Sequence, residues 1–541
     1  MTASGDLTPQ EASRFLMQAT FGPIGRDIEE LRGMGIEAWL DDQILNKSIT
    51  PYESQVVRYH EDLNGARVLD GLYNVSENTI NESLVRGPNI SSVFATAAIK
   101  GEDQLRQRVA FALSQIFVIS QQNFQLQDST QVLGDYYDML LTHSFGNYLD
   151  LLKAVTRHPA MGIYLSSIAN LPPDPSINRF PDENYAREVM QLFTIGIHEM
   201  NQDGTLKTNN GILIETYDQG DITEIARVMT GLARDRGIGT RFSGSNYLPM
   251  RMFSQYHDFE EKTFLGYTIP AREATNENAE QDLDDLLTFL FNHENTPPFV
   301  SRALIQFFVT DNPSPDYVRR VADVFVNNGL GERGNLGAVV RAILTDAEAR
   351  DIHVANNTSE FGRLRDPLIR VMHLARVLRM DKHQEIYWWE PREQITESIA
   401  QTPLNATSVF NFYLPDYKPV GPLMENNLNG GPFQILDNSS SVALPNFLWE
   451  TITEGFQRSW GGTTYDLPPF YDELIPYVDD NESLVDYINL VACAGRMTAA
   501  SRAAILDTLS NPALEGSENR VHKICLALYG AFIIPESAIT R

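Results

Sequence analysis

Cysteine is nearly absent: only Cys493 and Cys525 occur in 541 residues, too few for a disulfide scaffold or a zinc-ligand set. Both stand in apolar stretches (489–496 and 522–531) that read as helices, so buried free thiols are expected. Long apolar runs are missing too, and none approaches the roughly 20 residues that span a bilayer. The opening Met1-Thr-Ala-Ser-Gly-Asp lacks the charged start and apolar centre of a leader. Either the protein stays inside the cell or its numbering begins after a removed leader. Basic charge is scarce: 42 Lys and Arg face 71 Asp and Glu, a formal net charge of −29. Such a surface repels phosphate backbones and excludes a nucleic-acid partner. It also disfavours polyanionic substrates unless a local basic pocket overrides the field. There is no Gly-x-Ser-x-Gly elbow, P-loop, dinucleotide fingerprint or His-Glu-x-x-His pair, which removes the common serine hydrolase, NTPase, nicotinamide and zincin readings. The ten histidines show no paired ligand spacing, so a metal-dependent redox protein is the weakest class.

What is present is a large helix-forming chain, 43% hydrophobic. Thr8-Pro9-Gln10-Glu11 combines a capping box with proline at the first helical position, and Ala12, Phe15, Leu16 and Ala19 follow at helical spacing. The same periodicity predicts helices over 25–34, 103–120 (the central one), 132–142, 148–156, 182–195, 221–231, 279–291, 298–309, 315–327, 336–345, 362–378, 393–401, 483–494, 498–509 and 519–531, while the segment 35–45 carries Trp39 and Leu40 inward. Strand signals are few. Asp203-Gly204 and Asn210-Gly211 punctuate short alternating pieces near 197–217, a small β-hairpin insertion, and 256–269 adds another short strand. The Pro- and Asn-rich stretch 401–432 reads as an ordered loop. The fold class is therefore all-α, a multi-helical globular body with a small hairpin. It reads as a single unit over 1–541, with two helical lobes (about 1–272 and 273–541, divided near 270–280) as the alternative.

The segment 182–196 is the most informative. Asp182 reads as its N-cap and Gly196 as its C′ residue. Glu183, Asn184, Arg187, Glu188 and Gln191 fall in one sector roughly 140° wide, opposite Tyr185, Ala186, Val189, Met190, Leu192 and Phe193. The ordinary reading is a solvated face. The sharper one is a cleft-facing network in which Glu183 or Glu188, beside Arg187, does acid/base work. His158, before a proline at a helix end, is a capping residue or an assisting base. His257 and Asp258 form a weak titrating pair in Tyr256-His257-Asp258-Phe259. Placing Gly204 at position six of an EF-hand puts Glu199, Asn201 and Asp203 at positions one, three and five. Asn210 then falls at position twelve, where a bidentate Glu is required, so that motif fails. A looser oxygen-rich site for a divalent cation such as calcium would use Asp203, Asp218 and Asp221. Tyr387-Trp388-Trp389 is either a stacking platform for a planar ligand or a core anchor.

Several of these stretches together resemble the bacterial family designated domain of unknown function 1800. They are Ala12-Ser-Arg-Phe-Leu-Met-Gln-Ala-Thr-Phe-Gly-Pro, the run 105–117, Phe145-Gly-Asn-Tyr, His158-Pro-Ala-Met-Gly, Asp182-Glu-Asn-Tyr-Ala-Arg-Glu, Tyr217-Asp-Gln-Gly-Asp-Ile, His257-Asp with Lys262 and Leu265-Gly266, Arg333-Gly-Asn-Leu with Ala338-Val-Val-Arg-Ala-Ile-Leu, Val409-Phe-Asn-Phe-Tyr and Arg541. The resemblance covers essentially the whole chain. Many relatives carry a histidine in a Glu-Leu-His-Thr-Leu-Gly version of the long helix, where this chain has Phe193. The resemblance implies a multi-helical fold, export to an extracytoplasmic location, and a sulfatase-like companion protein designated domain of unknown function 1501. It implies no reaction. Two functional expectations follow. One is a hydrolase or lyase acting on an extracellular polysaccharide or related polymer, with Glu183, Arg187, Glu188, His158, His257 and Asp258 as the candidate set. The alternative is a non-catalytic surface, filament or assembly protein partnering itself or the sulfatase-like companion.

Overall fold

The structure is a computed structural model that describes residues 7–56, 89–127, 129–234, 248–351, 360–383, 399–460 and 463–541. Its first helix forms where the capping box predicts. Thr8 Oγ1 accepts from Glu11 N at 3.2 Å, and Glu11 Oε2 accepts from Thr8 N at 2.9 Å, starting α1 (Pro9–Ala19). Two orphan amides are thereby satisfied at one helix start. Thr8→Ala is expected to cost about 1 kcal/mol in urea unfolding, and an unchanged midpoint would rule out that role.

Next come α2 (Gly25–Met34), α3 (Asn89–Lys100) and α4 (Gln104–Ile116). The last is the central helix, and every residue from Gln107 to Gln115 on it is buried. Its Arg108 guanidinium is tolerated there because Nη2 donates to Phe307 O at 3.1 Å and the group sits 5.3 Å from the Phe308 ring centroid. Helices α5 (Thr130–His143) and α6 (Tyr148–Arg157) pack against each other. They are followed by α7 (Asn184–Gln191), α8 (Gln219–Val228), α9 (Asn276–Asn292), α10 (Thr296–Phe308), α11 (Pro315–Val326) and α12 (Leu336–Thr345). The body is completed by α13 (Pro367–Val377), α14 (Ser440–Thr453), α15 (Asn481–Cys493), α16 (Ala499–Leu509) and α17 (Arg520–Ile533). The buried apolar residues form one cluster running from Leu7 to Phe532, with members on both sides of Pro270. Both cysteines are buried free thiols, as expected.

The fold is all-α with small two-stranded hairpins. Strands β1 (Thr208–Asn209) and β2 (Ile212–Leu213) close over Asn210-Gly211, both at positive φ (52° and 80°). That is the turn an Asn-Gly pair forms at least steric cost. Strands β3 (Leu232–Ala233) and β4 (Arg251–Met252) pair next. Lys262–Phe264 (β5) and Tyr267–Ile269 (β6) then turn over Leu265-Gly266, again both at positive φ. Strand β7 (Arg363–Leu364) pairs antiparallel with Ile539–Thr540 (β10), which follows the hairpin of β8 (Phe456–Trp460) and β9 (Thr463–Leu467). Among the described residues, no helix is long and apolar enough to cross a membrane.

Two expectations need correction. The helix predicted over 182–195 ends at Gln191; Ile195 N and Gly196 N both bond to Met190 O, and Gly196 takes the expected left-handed φ of 68°. Its N-cap position is held by Glu183, not Asp182, although Asp182 Oδ1 still accepts from Asn184 N at 2.9 Å. Helix α3 is buried almost throughout and so lacks a polar stripe, and Pro445 inside α14 reads as a helix breaker, so neither helix was predicted. The predicted helix 393–401 lies, except for its last three residues, outside the described residues, as does Tyr387-Trp388-Trp389.

Candidate functional site

Helix α7 is anchored by its apolar side. Tyr185, Ala186, Val189 and Met190 are buried, and the Tyr185 hydroxyl lies 2.7 Å from Thr156 Oγ1 on α6. The other side meets α8. Asp218 starts α8 with a reciprocal capping box: its Oδ1 accepts from Gly220 N and Asp221 N, while Asp221 Oδ2 accepts from Asp218 N. Asp221 Oδ1 also accepts from Leu265 N at 2.7 Å, tying the β5–β6 hairpin to α8. With α8 so placed, Gln219 Nε2 donates to Glu183 Oε2 at 2.8 Å and Thr223 Oγ1 to Glu183 Oε1 at 2.9 Å. Arg187 Nη2 stands 3.8 Å from the same carboxylate, with both side chains partly exposed. That pair contributes a few tenths of a kcal/mol and mainly orients the two groups.

Glu188 is different. It is 4% exposed, and its Oε2 is buried with no hydrogen-bond partner among the described residues. Burial raises its pKa above the usual carboxyl range, and Arg187 offsets only part of the rise. Tyr217 donates from its hydroxyl to Gln191 Oε1 at 3.4 Å. Burial, and then the Glu188 charge, push that phenol up as well, against Arg187. The polar side of α7 thus brings together a carboxyl biased toward its neutral form, a carboxylate fixed by side-chain donors, a phenol and a guanidinium. A carboxyl shifted toward its neutral form is what a proton donor needs.

The remaining candidates stand elsewhere, each already engaged. His158 caps the following helical turn: Nδ1 accepts from Ala160 N at 3.1 Å, and Nε2 faces Asp135 Oδ2 at 3.2 Å. His257 and Asp258, adjacent in sequence, point to different partners. His257 Nδ1 faces Thr230 O at 2.8 Å and Nε2 faces Asp282 Oδ2 at 3.1 Å, so neither nitrogen is free. Asp258 accepts from Arg227 Nε at 2.7 Å. Burial alone would raise this carboxyl, but Arg227 and the Glu260 amide hold it below its ordinary value. Asp203 Oδ1 accepts from Thr205 N and Oγ1 within its own turn, apart from Asp218 and Asp221 in their capping box. Among the described residues, no group of three or more His, Cys, Asp or Glu is arranged to hold a metal ion.

Sequence reasoning noted Tyr217 and Gln219 only within a family-like stretch and did not name them, Thr223 or Asp282 as site residues; Asp282 is the anion on which His257 and Lys262 converge. Asp282 did leave a signal: it lies on the stripe Ala279, Leu283, Leu286, Leu290 of a predicted helix, where an acidic residue has no business unless paired.

An all-α body with small hairpins, presenting one polar helix side with a buried unpartnered carboxyl, is the class of protein that fold and site define. The chain belongs to the family of proteins of unknown function designated domain of unknown function 1800, whose sequence profile matches residues 14–536. Comparison with curated proteins and with solved structures gave no match.

Proposed function

We propose that this protein is an extracytoplasmic hydrolase or lyase acting on a polysaccharide or related polymer, with Glu188 as its proton donor. The observation that carries the reading is Glu188 itself: buried, one oxygen without a partner, and shifted toward the neutral acid by that burial. A neutral carboxyl can protonate a departing glycosidic oxygen. Glu183, held by Gln219 and Thr223, is the second carboxylate, five residues before Glu188. In a hydrolase it takes a proton from the attacking water; in a lyase it takes one from carbon beside a carboxylate that Arg187 neutralises. Arg187 and Glu183 are partly exposed, which suits a polymer passing along the surface. The extracytoplasmic setting rests on the family resemblance.

The test is release of reducing ends, or of unsaturated sugars, from a panel of neutral and acidic polysaccharides. Glu188→Gln is expected to lower the rate about a hundredfold or more with little change in unfolding midpoint. Because the donor must be protonated, activity falls as pH rises through the Glu188 pKa, above the ordinary carboxyl range. A Glu188→Gln variant as active as the parent would sink the assignment. No turnover on any polymer, together with a stable self-assembly, would favour the surface-protein reading.

A further inference from the structure

A cavity of about 750 Å³ opens among α1, the residues after α2 and the end of α12. Its wall is mostly apolar, including Leu7, Met34 and Ile36, and its polar groups are two arginines, Arg14 and Arg350, with Thr8, Gln10 and acids near them. None of Glu183, Arg187 and Glu188 lines it. Arg14 is 3% exposed. Its Nε donates to the main-chain oxygen of Arg541 and its Nη1 to Arg350 O at 2.9 Å, while Nη2 has no partner. Arg350 lies over the Phe15 ring, 5.0 Å from its centroid, and among the described residues neither its Nε nor its Nη2 has an acceptor. Three buried guanidinium nitrogens at one cavity are therefore unsatisfied, where native interiors leave few.

Two nearby acids are engaged elsewhere. Glu11 is spent in the Thr8 capping box and Glu37 on Arg341; Asp351 attracts Arg14. Burial lowers Arg14 to about 10, with Arg496 adding repulsion, and lowers Arg350 to about 9, with Arg14 adding repulsion. In a chain of net charge −29, these two arginines place guanidinium edges at the wall of an otherwise apolar cavity, beside Glu11 and Glu37. Apolar pockets of this size with a few convergent polar groups are the usual form of a small-molecule site, and an arginine edge favours an oxoanion.

We propose that this cavity binds an amphiphilic monoanion, its carboxylate or sulfate head against Arg14 and Arg350 and its hydrocarbon body along Leu7, Met34 and Ile36. A monoanion is favoured over a more highly charged head because Glu11 and Glu37 also line the cavity. The site is separate from the acid/base face and stands whether or not that face is catalytic.

Isothermal calorimetry on the full chain tests it, with octanoate, octyl sulfate, octanol and inorganic phosphate as probes. Saturable one-to-one binding of octanoate or octyl sulfate is expected, with the tighter of the two identifying the head group. Octanol and phosphate should bind about tenfold more weakly or not at all, since each lacks half the recognition. Arg350→Gln should weaken binding about tenfold. Arg14 also holds main chain, so Ala347→Trp, from an exposed position in the cavity wall, supplies a second variant. It should block binding without moving the unfolding midpoint. The proposal is overturned if neither amphiphile binds, if octanol matches them, if phosphate alone matches them, or if binding survives both variants.

Discussion

Replacing Asp282 with alanine is expected to lower the free energy of unfolding by about 3–5 kcal/mol, the largest loss for any single truncation near the α7–α8 site. The Asp282 side chain is fully buried and gathers three basic side chains. Lys262 Nζ is 2.9 Å from Oδ2, His257 Nε2 is 3.1 Å from the same oxygen, and Arg272 Nη1 is 2.8 Å from Oδ1. The Lys262 side chain is itself fully buried and, among the described residues, has no other carboxylate at ion-pair distance. Alanine thus strands an ammonium in the interior, and the penalty is that of an unpaired buried charge rather than of a lost contact. The control is the double variant Asp282→Leu with Lys262→Met, which removes both charges and should recover more than half of the loss. Urea unfolding of the single and double variants checks this, and a single-variant cost below about 1 kcal/mol would contradict it.

The pH dependence has a definite sign. Burial pushes the Asp282 carboxyl up, but hydrogen bonds from His257 and Lys262, with their charges, outweigh it and hold the folded pKa below the ordinary carboxyl value. Its contribution to stability is therefore complete above the unfolded pKa and is lost on acidification through the folded one. The consequence reaches the site. Lys262 begins β5, that hairpin is tied to α8 by Asp221 and Glu224, and α8 holds Glu183. Loss of Asp282 should loosen the support of the acid/base face before the core melts.

Much of the fold was legible because its signals are local. Thr8 with Glu11, Ser314 before Pro315, Asn335 and Thr498 each accept a first-turn amide within three residues, so the sequence alone marks those helix starts. Asn210-Gly211 likewise encodes its own turn. The site was legible only in part. The split of α7 into an apolar and a polar side singled out Glu183, Arg187 and Glu188, but their different surroundings come from residues far along the chain. Glu183 is fixed from Gln219 and Thr223, 36 and 40 residues away. Nothing in the spacing of Arg157-His158-Pro159 or Tyr256-His257-Asp258 reveals that both ring nitrogens of each histidine are already engaged. The interior charges follow the same rule: their partners are non-local, so sequence shows a misplaced polar residue without showing its counterion.

A second buried cluster gives the other large effect. Asp366 is 1% exposed and binds Arg363 Nη1 at 2.6 Å through Oδ2, while Tyr413 Oη donates to Oδ1 at 2.6 Å and Gln401 Nε2 at 2.8 Å. These contacts pin the loop 401–413 to β7 and to the start of α13. Asp311 Oδ1 stands 3.7 Å from Arg363 Nε, so two carboxyls share one guanidinium. Asp366 wins: burial alone would raise it, but Arg363, Tyr413 and Gln401 keep it below the ordinary value. Burial pushes Asp311 up to about 7, with Arg363 opposing and Asp366 adding to the rise. Asp366→Ala is expected to cost about 3–5 kcal/mol, because it takes the near anion from a buried arginine. Asp311 supplies the sharper test. Its folded pKa lies above its unfolded one, so the parent loses stability as pH rises from about 4 toward 7. Asp311→Asn should therefore stabilise the parent above that range and change little below it. In the Asp366→Ala background the sign reverses, because Asp311 is then, among the described residues, the one carboxylate left at ion-pair distance from Arg363, and Asp311→Asn strands that charge. Urea unfolding of the two single variants and the double variant, at about pH 5 and about pH 8, measures the reversal. Simple additivity of the two substitutions at both values would show that the carboxyls do not compete for Arg363.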